Sequence, residues 1–295
     1  MEAGSTVPQT HCATADGAGM PPHSWSQVTA EKFLVRQGPN YLKAKRKAKS
    51  GGSFYEVRGV DWYRADKKVD GVGSLVDLPE PEFSHPSVPS LLVVNVQLPT
   101  EAPEVFKGAK LDGPTLHAVF YFTLKEETAR ALENLDTADP SLRLLVGYFS
   151  RAESEPAVRT RFKAIAVVNN QEKLNMTRLI SPFNGKPVLI TESGSLLRGN
   201  LNSDLRDAEG APGYASPGEN GGPLGGDGGR GGGGGGDGGG SISSTYGAGE
   251  YLELDVHVRR WNYMARKGLN KVASKFGLIN VSVAFLVEGR GDAEV

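Results

Sequence analysis

The chain has 295 residues, 38% hydrophobic and 23% charged, with 33 Lys+Arg against 34 Asp+Glu. That length can bury a sizeable core, as one large domain or two small ones. A formal net charge of -1 excludes a wholesale basic nucleic-acid binder, and the single cysteine, Cys12, excludes a disulfide scaffold or a Cys-rich zinc module.

Residues 1–24 are small and polar, without hydrophobic periodicity, and are expected to form a disordered tail. They contain no basic stretch followed by an apolar one, so a secretory signal is not expected, and Glu2 stands where N-myristoylation needs glycine. No apolar run approaches the ~18–20 residues of a membrane span. A cytoplasmic protein with at most peripheral membrane contact is expected.

Ordered structure is expected from Trp25. Phe54–Tyr63 is aromatic and β-branched and predicts a strand pair or a bent strand, Leu91–Leu98 a deeply buried strand, and Leu116–Phe122 a third, apolar on both faces. Glu126–Leu135 carries helix formers with acids in its first turn, and Ser141–Phe149 follows as a second helix with Pro140 near its start. Arg161–Val168 and Pro187–Ile190 return to strand.

Glycine is unevenly spread. Of 39 glycines, about half lie between Gly210 and Gly249, six of them consecutive from Gly231. Such a stretch is flexible coil; a phosphate loop needs Gly-Lys-Ser/Thr opening a helix after a strand, and that sequence does not occur. Beyond it, Tyr251–Val258 alternates, with Leu252, Leu254, Val256 and Val258 on one side and Tyr251, Glu253, Asp255 and His257 on the other. That pattern predicts a half-buried strand. Trp261 to Phe276 has the three- and four-residue spacing of an amphipathic helix, stopped at Gly277, and Leu278–Val287 resumes strand character. A run of strands with a few helices predicts an α+β fold, its mostly antiparallel or mixed sheet packed by the helices. Residues 25–199 and 245–290 are expected to fold as one discontinuous domain around a disordered Gly-rich insert, 200–244.

Several stretches together resemble the C-terminal domain of the plant Enhanced Disease Resistance 2 family. They are Trp25-Ser26, Phe33–Leu42, Phe54–Asp61, Asn95–Pro99, Arg159–Lys163, Lys186–Ile190, Tyr246–Val256 and Ala284–Gly289, collinear over most of the chain. In that family the domain commonly follows a lipid-binding START domain and a phosphoinositide-binding pleckstrin-homology domain. The resemblance therefore implies a lipid- or membrane-linked regulatory role without an assigned enzyme activity. Neither module fits in the 24 residues before Trp25, so their targeting function is not carried over. Arg259-Arg260-Trp261 also departs from the small hydroxyl residues that usually follow the family's Tyr-Leu-Glu-Leu-Asp-type strand.

Three constellations could carry chemistry. Glu253, Asp255 and His257 could ligate a cation or perform acid–base work, but residues spaced by two are ordinarily the solvent side of an antiparallel strand. The expectation is therefore no metal and no cofactor. Lys43, Lys45, Arg46, Lys47 and Lys49 could meet anionic headgroups or simply form a solvated loop; without interleaved aromatics, nucleic acid is the weaker partner. Arg260, Lys267, Lys271 and Lys275 fall along one flank of the C-terminal helix, either an idle basic rim or a second anion contact. No nucleophile elbow or His-Glu-x-x-His pattern occurs. The leading expectation is a non-enzymatic, lipid- or membrane-linked signalling module whose partner is an anionic lipid surface. A protein-interaction scaffold is the alternative. Third stands an enzyme using the Glu253/Asp255/His257 strand face.

Overall fold

The computed structural model describes residues 5–10, 19–36, 41–104, 110–175, 181, 184–189, 194–201, 246–247, 249–273 and 275–290. The Gly-rich insert lies outside them apart from Asn200 and Leu201, as do His11 and Cys12.

The apolar runs become the centre of a mixed sheet. β4 (Tyr55–Ala65), β5 (Leu91–Pro99) and β6 (Thr115–Leu124) pair antiparallel, with β6 in the middle. β4 is a single strand with a bulge between Val57 and Gly59, the bent strand rather than the strand pair of the two alternatives its sequence allowed. β10 (Glu250–His257) adds parallel to β5, and β9 (Ser195–Asn200) closes that side antiparallel to β10. At the opposite edge lies β1 (Ser5–Thr6), paired with Asp61 and Trp62 of β4. Strand order in this six-stranded sheet is β1-β4-β6-β5-β10-β9.

β1 departs from the expected unstructured tail. The outer edge of β4 offers unpaired backbone groups; Ser5 and Thr6 meet them, and Val7 N donates to Val60 O at 2.9 Å while its side chain is buried. Gln9 then bridges to Trp25.

Helix α2 (Glu126–Leu132) and helix α3 (Pro140–Arg151) cover one end of the sheet. Asp139 caps α3 by accepting from Ser141 N at 2.8 Å, with Pro140 in the first turn. Leu142, Leu145, Val146 and Phe149 of α3 pack with Leu92, Leu252 and Leu254 of the sheet in the main core. A short helix α4 (Pro156–Arg159) leads to β7 (Phe162–Val168), which joins β8 (Pro187–Leu189) and β11 (Val281–Val287) in a three-stranded antiparallel sheet. Phe285 of β11 meets Phe120 and Phe122 with ring centroids 5.5 and 5.7 Å apart, fastening that small sheet to the large one. The C-terminal amphipathic helix spans Tyr263–Ala273 and lies between β10 and β11 in the chain.

The basic run also differs from the expected loop. Lys47–Lys49 form a strand, β3, paired with β2 (Leu34–Arg36), and a single helical turn, α1 (Tyr41–Ala44), stands between them. The C-terminal helix is then α5.

Candidate functional site

Both faces of the large sheet are covered, and they differ in chemistry. One face carries Phe122, Leu92 and Leu252 in one row, then Phe120, Val94 and Leu254, then Ala118, Val96 and Val256. The main core fills only part of the space above it. Between this face, the small sheet and α5 lies a cavity of about 3070 Å³ that opens to solvent. Trp62, Val96, Leu98, Phe120, Leu269 and Phe285 are among its apolar lining. Cationic side chains occur around it as well: Arg64, Lys173, Lys186 and Arg260 are exposed, while Lys163 bonds Glu288 at 3.0 Å.

The other face was expected to meet solvent beyond β10. It does not. Glu253, Asp255 and His257 are all buried, because β10 lies between β5 and β9 and the segment 69–78 roofs the sheet. Val69, Val72, Val76 and Leu78 pack there with Tyr63, Val93, Tyr121 and Tyr251, and a polar network occupies the remaining area. The strand alternation was correct; what the pattern lacked was any sign of a second cover.

The network is built from four segments. Gly71, with φ +70°, turns the chain so that successive N–H groups point at the acids. Val72 N and Gly73 N each donate to the Glu253 carboxylate at 2.8 Å, and Gly71 N donates to Asp255 Oδ2 at 3.2 Å. From β5, Asn95 Nδ2 donates to Asp255 Oδ1 at 2.6 Å and Gln97 Nε2 to Asp70 Oδ1 at 2.7 Å. His257 Nε2 lies 2.7 Å from Asp70 Oδ1, and Lys68 pairs with the other oxygen of that carboxylate. His117, on β6, shares a 2.9 Å hydrogen bond with Asn95 Oδ1.

Burial sets the electrostatics. It pushes the Asp255 carboxyl up to about 8, aided by the neighbouring charges of Glu253 and Asp70. Burial likewise raises Glu253, against the opposing pull of the Gly73 N–H. Asp70 goes the other way: although burial pushes it up, hydrogen bonds from His257, Lys68 and Gln97 hold it well below the usual carboxylate range. The enclosed His117 imidazole is pushed down to about 4 by burial, with the Lys67 carbonyl opposing.

The nine basic candidates are not gathered into one site. Lys43, Lys45, Arg46, Lys47 and Lys49 are exposed on the β2–β3 unit and its preceding turn. Lys267 and Lys271 are exposed on α5, whose Ala265, Gly268, Leu269 and Val272 line the cavity. Arg260 reaches the cavity wall, whereas Lys275 is half-buried and donates to the Leu174 carbonyl at 2.8 Å. Arg259, part of the same basic stretch, is buried against Glu101 and the Pro114 carbonyl. Sequence reasoning missed Asp70, Asn95 and Gln97. Asn95 and Gln97 left a signal, two amides spaced by two within an apolar strand; Asp70 left none, since its loop has no period.

A module with two differently covered sheet faces is the class these features define. A family description, Protein ENHANCED DISEASE RESISTANCE 2, C-terminal, matches residues 25–202, more than half of the chain. The chain belongs to that family, and the family points to a regulatory or signalling domain. β10, α5 and β11 lie beyond the matched stretch. No curated protein and no solved structure matches the chain. Among the described residues, no helix is long and apolar enough to cross a membrane.

Proposed function

We propose that this domain is a non-enzymatic regulatory module that binds an anionic lipid, the acyl part in the large cavity and the headgroup toward the surrounding cations. One observation carries the reading: a largely apolar space of about 3070 Å³, open to solvent, beside the main core. Small-molecule sites usually measure ~300–1,000 Å³, so this space suits a larger apolar ligand. Burying a lipid chain there gains roughly 0.8 kcal/mol per CH₂, a strong drive for a surface otherwise left wet. Arg64, Lys173, Lys186 and Arg260 at the lining would favour a negative headgroup over a neutral one. The basic residues of β3 and α5 would then add a weak, salt-sensitive attraction to an anionic leaflet.

Glu253, Asp255 and His257 occupy the sheet face opposite the cavity, so they do not converge on a ligand bound there. The test is lipid uptake by the delipidated full-length chain. Saturable binding of a fluorescent anionic phospholipid, weaker for its zwitterionic counterpart, is expected. Absence of uptake together with no lipid co-purifying by mass spectrometry would refute the proposal and favour a protein-interaction scaffold.

A further inference from the structure

We propose that Asp70, Asp255 and His257, joined by the Gln97 carboxamide, form a binding site for a divalent transition-metal cation on the covered polar face. One ligating atom from each of the first three lies within 4.8 Å of the others, a spacing that a single ion can bridge. The site is separate from the lipid cavity and does not depend on it.

Three oxygens converge at this point. Gln97 Nε2 meets Val69 O at 2.9 Å, Asp70 Oδ1 at 2.7 Å and Asp255 Oδ1 at 3.3 Å. An amide nitrogen carries only two hydrogens, so one of three acceptors is always poorly served. Meanwhile Gln97 Oε1, on a side chain 2% exposed, is buried with no donor. Turning the carboxamide over would place that oxygen among three other acceptors. That arrangement is unfavourable unless a cation stands between them, and favourable if one does. A buried polar atom without a partner is costly, and an ion at this point would supply Oε1 with one once the carboxamide turned.

Asp70, Glu253 and Asp255 bring three carboxyl groups into one network, and among the described residues Lys68 is the lysine bonded there, to Asp70. Val72 N and Gly73 N hold both oxygens of Glu253 at 2.8 Å, whereas on Asp255 Oδ2 the Gly71 N–H and the Ser195 hydroxyl sit at the longer distances of 3.2 and 3.3 Å. His257 Nε2 shares its hydrogen bond with Asp70 Oδ1, and its Nδ1 is buried without a partner. Ligation through Nε2 moves the ring proton to Nδ1 and leaves the number of unpartnered ring atoms unchanged. The Asp70 side chain, 33% exposed, is the member of the set that faces solvent.

The donor set selects the class of ion. Carboxylate and carbonyl oxygens alone would suit magnesium or calcium; an imidazole nitrogen added to them suits zinc, manganese or cobalt. The experiment titrates the chelator-stripped full-length chain separately with Zn²⁺, Mn²⁺, Co²⁺, Mg²⁺ and Ca²⁺ by calorimetry, following Co²⁺ also by its visible spectrum. Asp70→Asn, His257→Gln and a variant with His11, Cys12 and His23 all changed to Ala are run in parallel, each checked for folding by circular dichroism. One transition-metal ion per chain is expected, retained in the tail variant and weakened by about tenfold or more in Asp70→Asn and His257→Gln. Should the buried His257→Gln chain not fold, Asp70→Asn, at the solvent edge, still decides the question. Failure of every ion to bind, binding unaffected by Asp70→Asn, or binding lost only in the tail variant overturns the proposal.

Discussion

Asn95 and Asp255 stand directly opposite each other on the parallel strands β5 and β10, and the Asn95 carboxamide donates to Asp255 Oδ1 at 2.6 Å. The same carboxamide bonds the Val69 carbonyl at 3.0 Å, so its nitrogen is committed to acceptors and its oxygen must accept from His117 Nδ1. One residue thereby fixes the roof segment, an acid and the tautomer of a buried imidazole.

That imidazole should make stability fall in mild acid. His117 is held down to about 4 in the folded chain, against the ordinary 6.5 when unfolded. As pH drops, the unfolded chain takes up this proton first. The His117 contribution is thus complete above about 6.5 and lost between about 6.5 and about 4, on the order of 1–3 kcal/mol. Urea unfolding at pH 7 and pH 5 should show the wild-type midpoint falling more than that of His117→Gln. Equal slopes for the two chains would refute this assignment.

Gly199 lies across from Tyr251 in the β9–β10 ladder, and the Tyr251 ring covers its α-carbon so closely that a Cβ there would overlap the ring. Gly199→Ala should therefore cost about 1–3 kcal/mol, the usual penalty of overpacking. Thermal or urea unfolding measures it; a neutral effect would mean that the ring moves freely.

Gly268 offers the opposite case. It sits within α5 on the cavity lining, and a Cβ there would meet nothing within 4 Å. Gly268→Ala should stabilise the chain by roughly 0.5–1 kcal/mol through helix propensity alone. Gly268→Trp should fold yet occlude the cavity and reduce lipid uptake several-fold. Uptake equal to wild type would place the ligand elsewhere.

Exposed cations should act through screening. Reversing Lys43, Lys45, Lys47, Lys267 and Lys271 together to Glu should weaken flotation with anionic vesicles at low salt, by up to about 1 kcal/mol per charge in contact, and leave uptake of a monomeric lipid unchanged. Vesicle binding that survives the reversal would assign the contact to other residues.

Much of the scaffold was legible along the chain. The strands at Leu91, Leu116 and Tyr251 and the helices at Pro140 and Tyr263 follow from hydrophobic period and end signals, which are local. β1 and β3 were not legible, because short edge strands owe their existence to a neighbour's open hydrogen bonds rather than to their own pattern. Glu253, Asp255 and His257 were correctly placed on one strand face yet assigned to solvent. Alternation says which residues share a face and nothing about what covers it.

The sequence by itself determined the α+β class, the family resemblance and the alternation that sorts β10 into an apolar and a polar side. Only the tertiary structure decided that both sides are covered: the apolar one by α5 and β11 across an open cavity, the polar one by a segment whose Gly71 N–H reaches Asp255, 184 residues later in the chain. Periodicity is a property of neighbouring residues. Enclosure depends on which distant segments the chain brings back over them, and no local signal carries that.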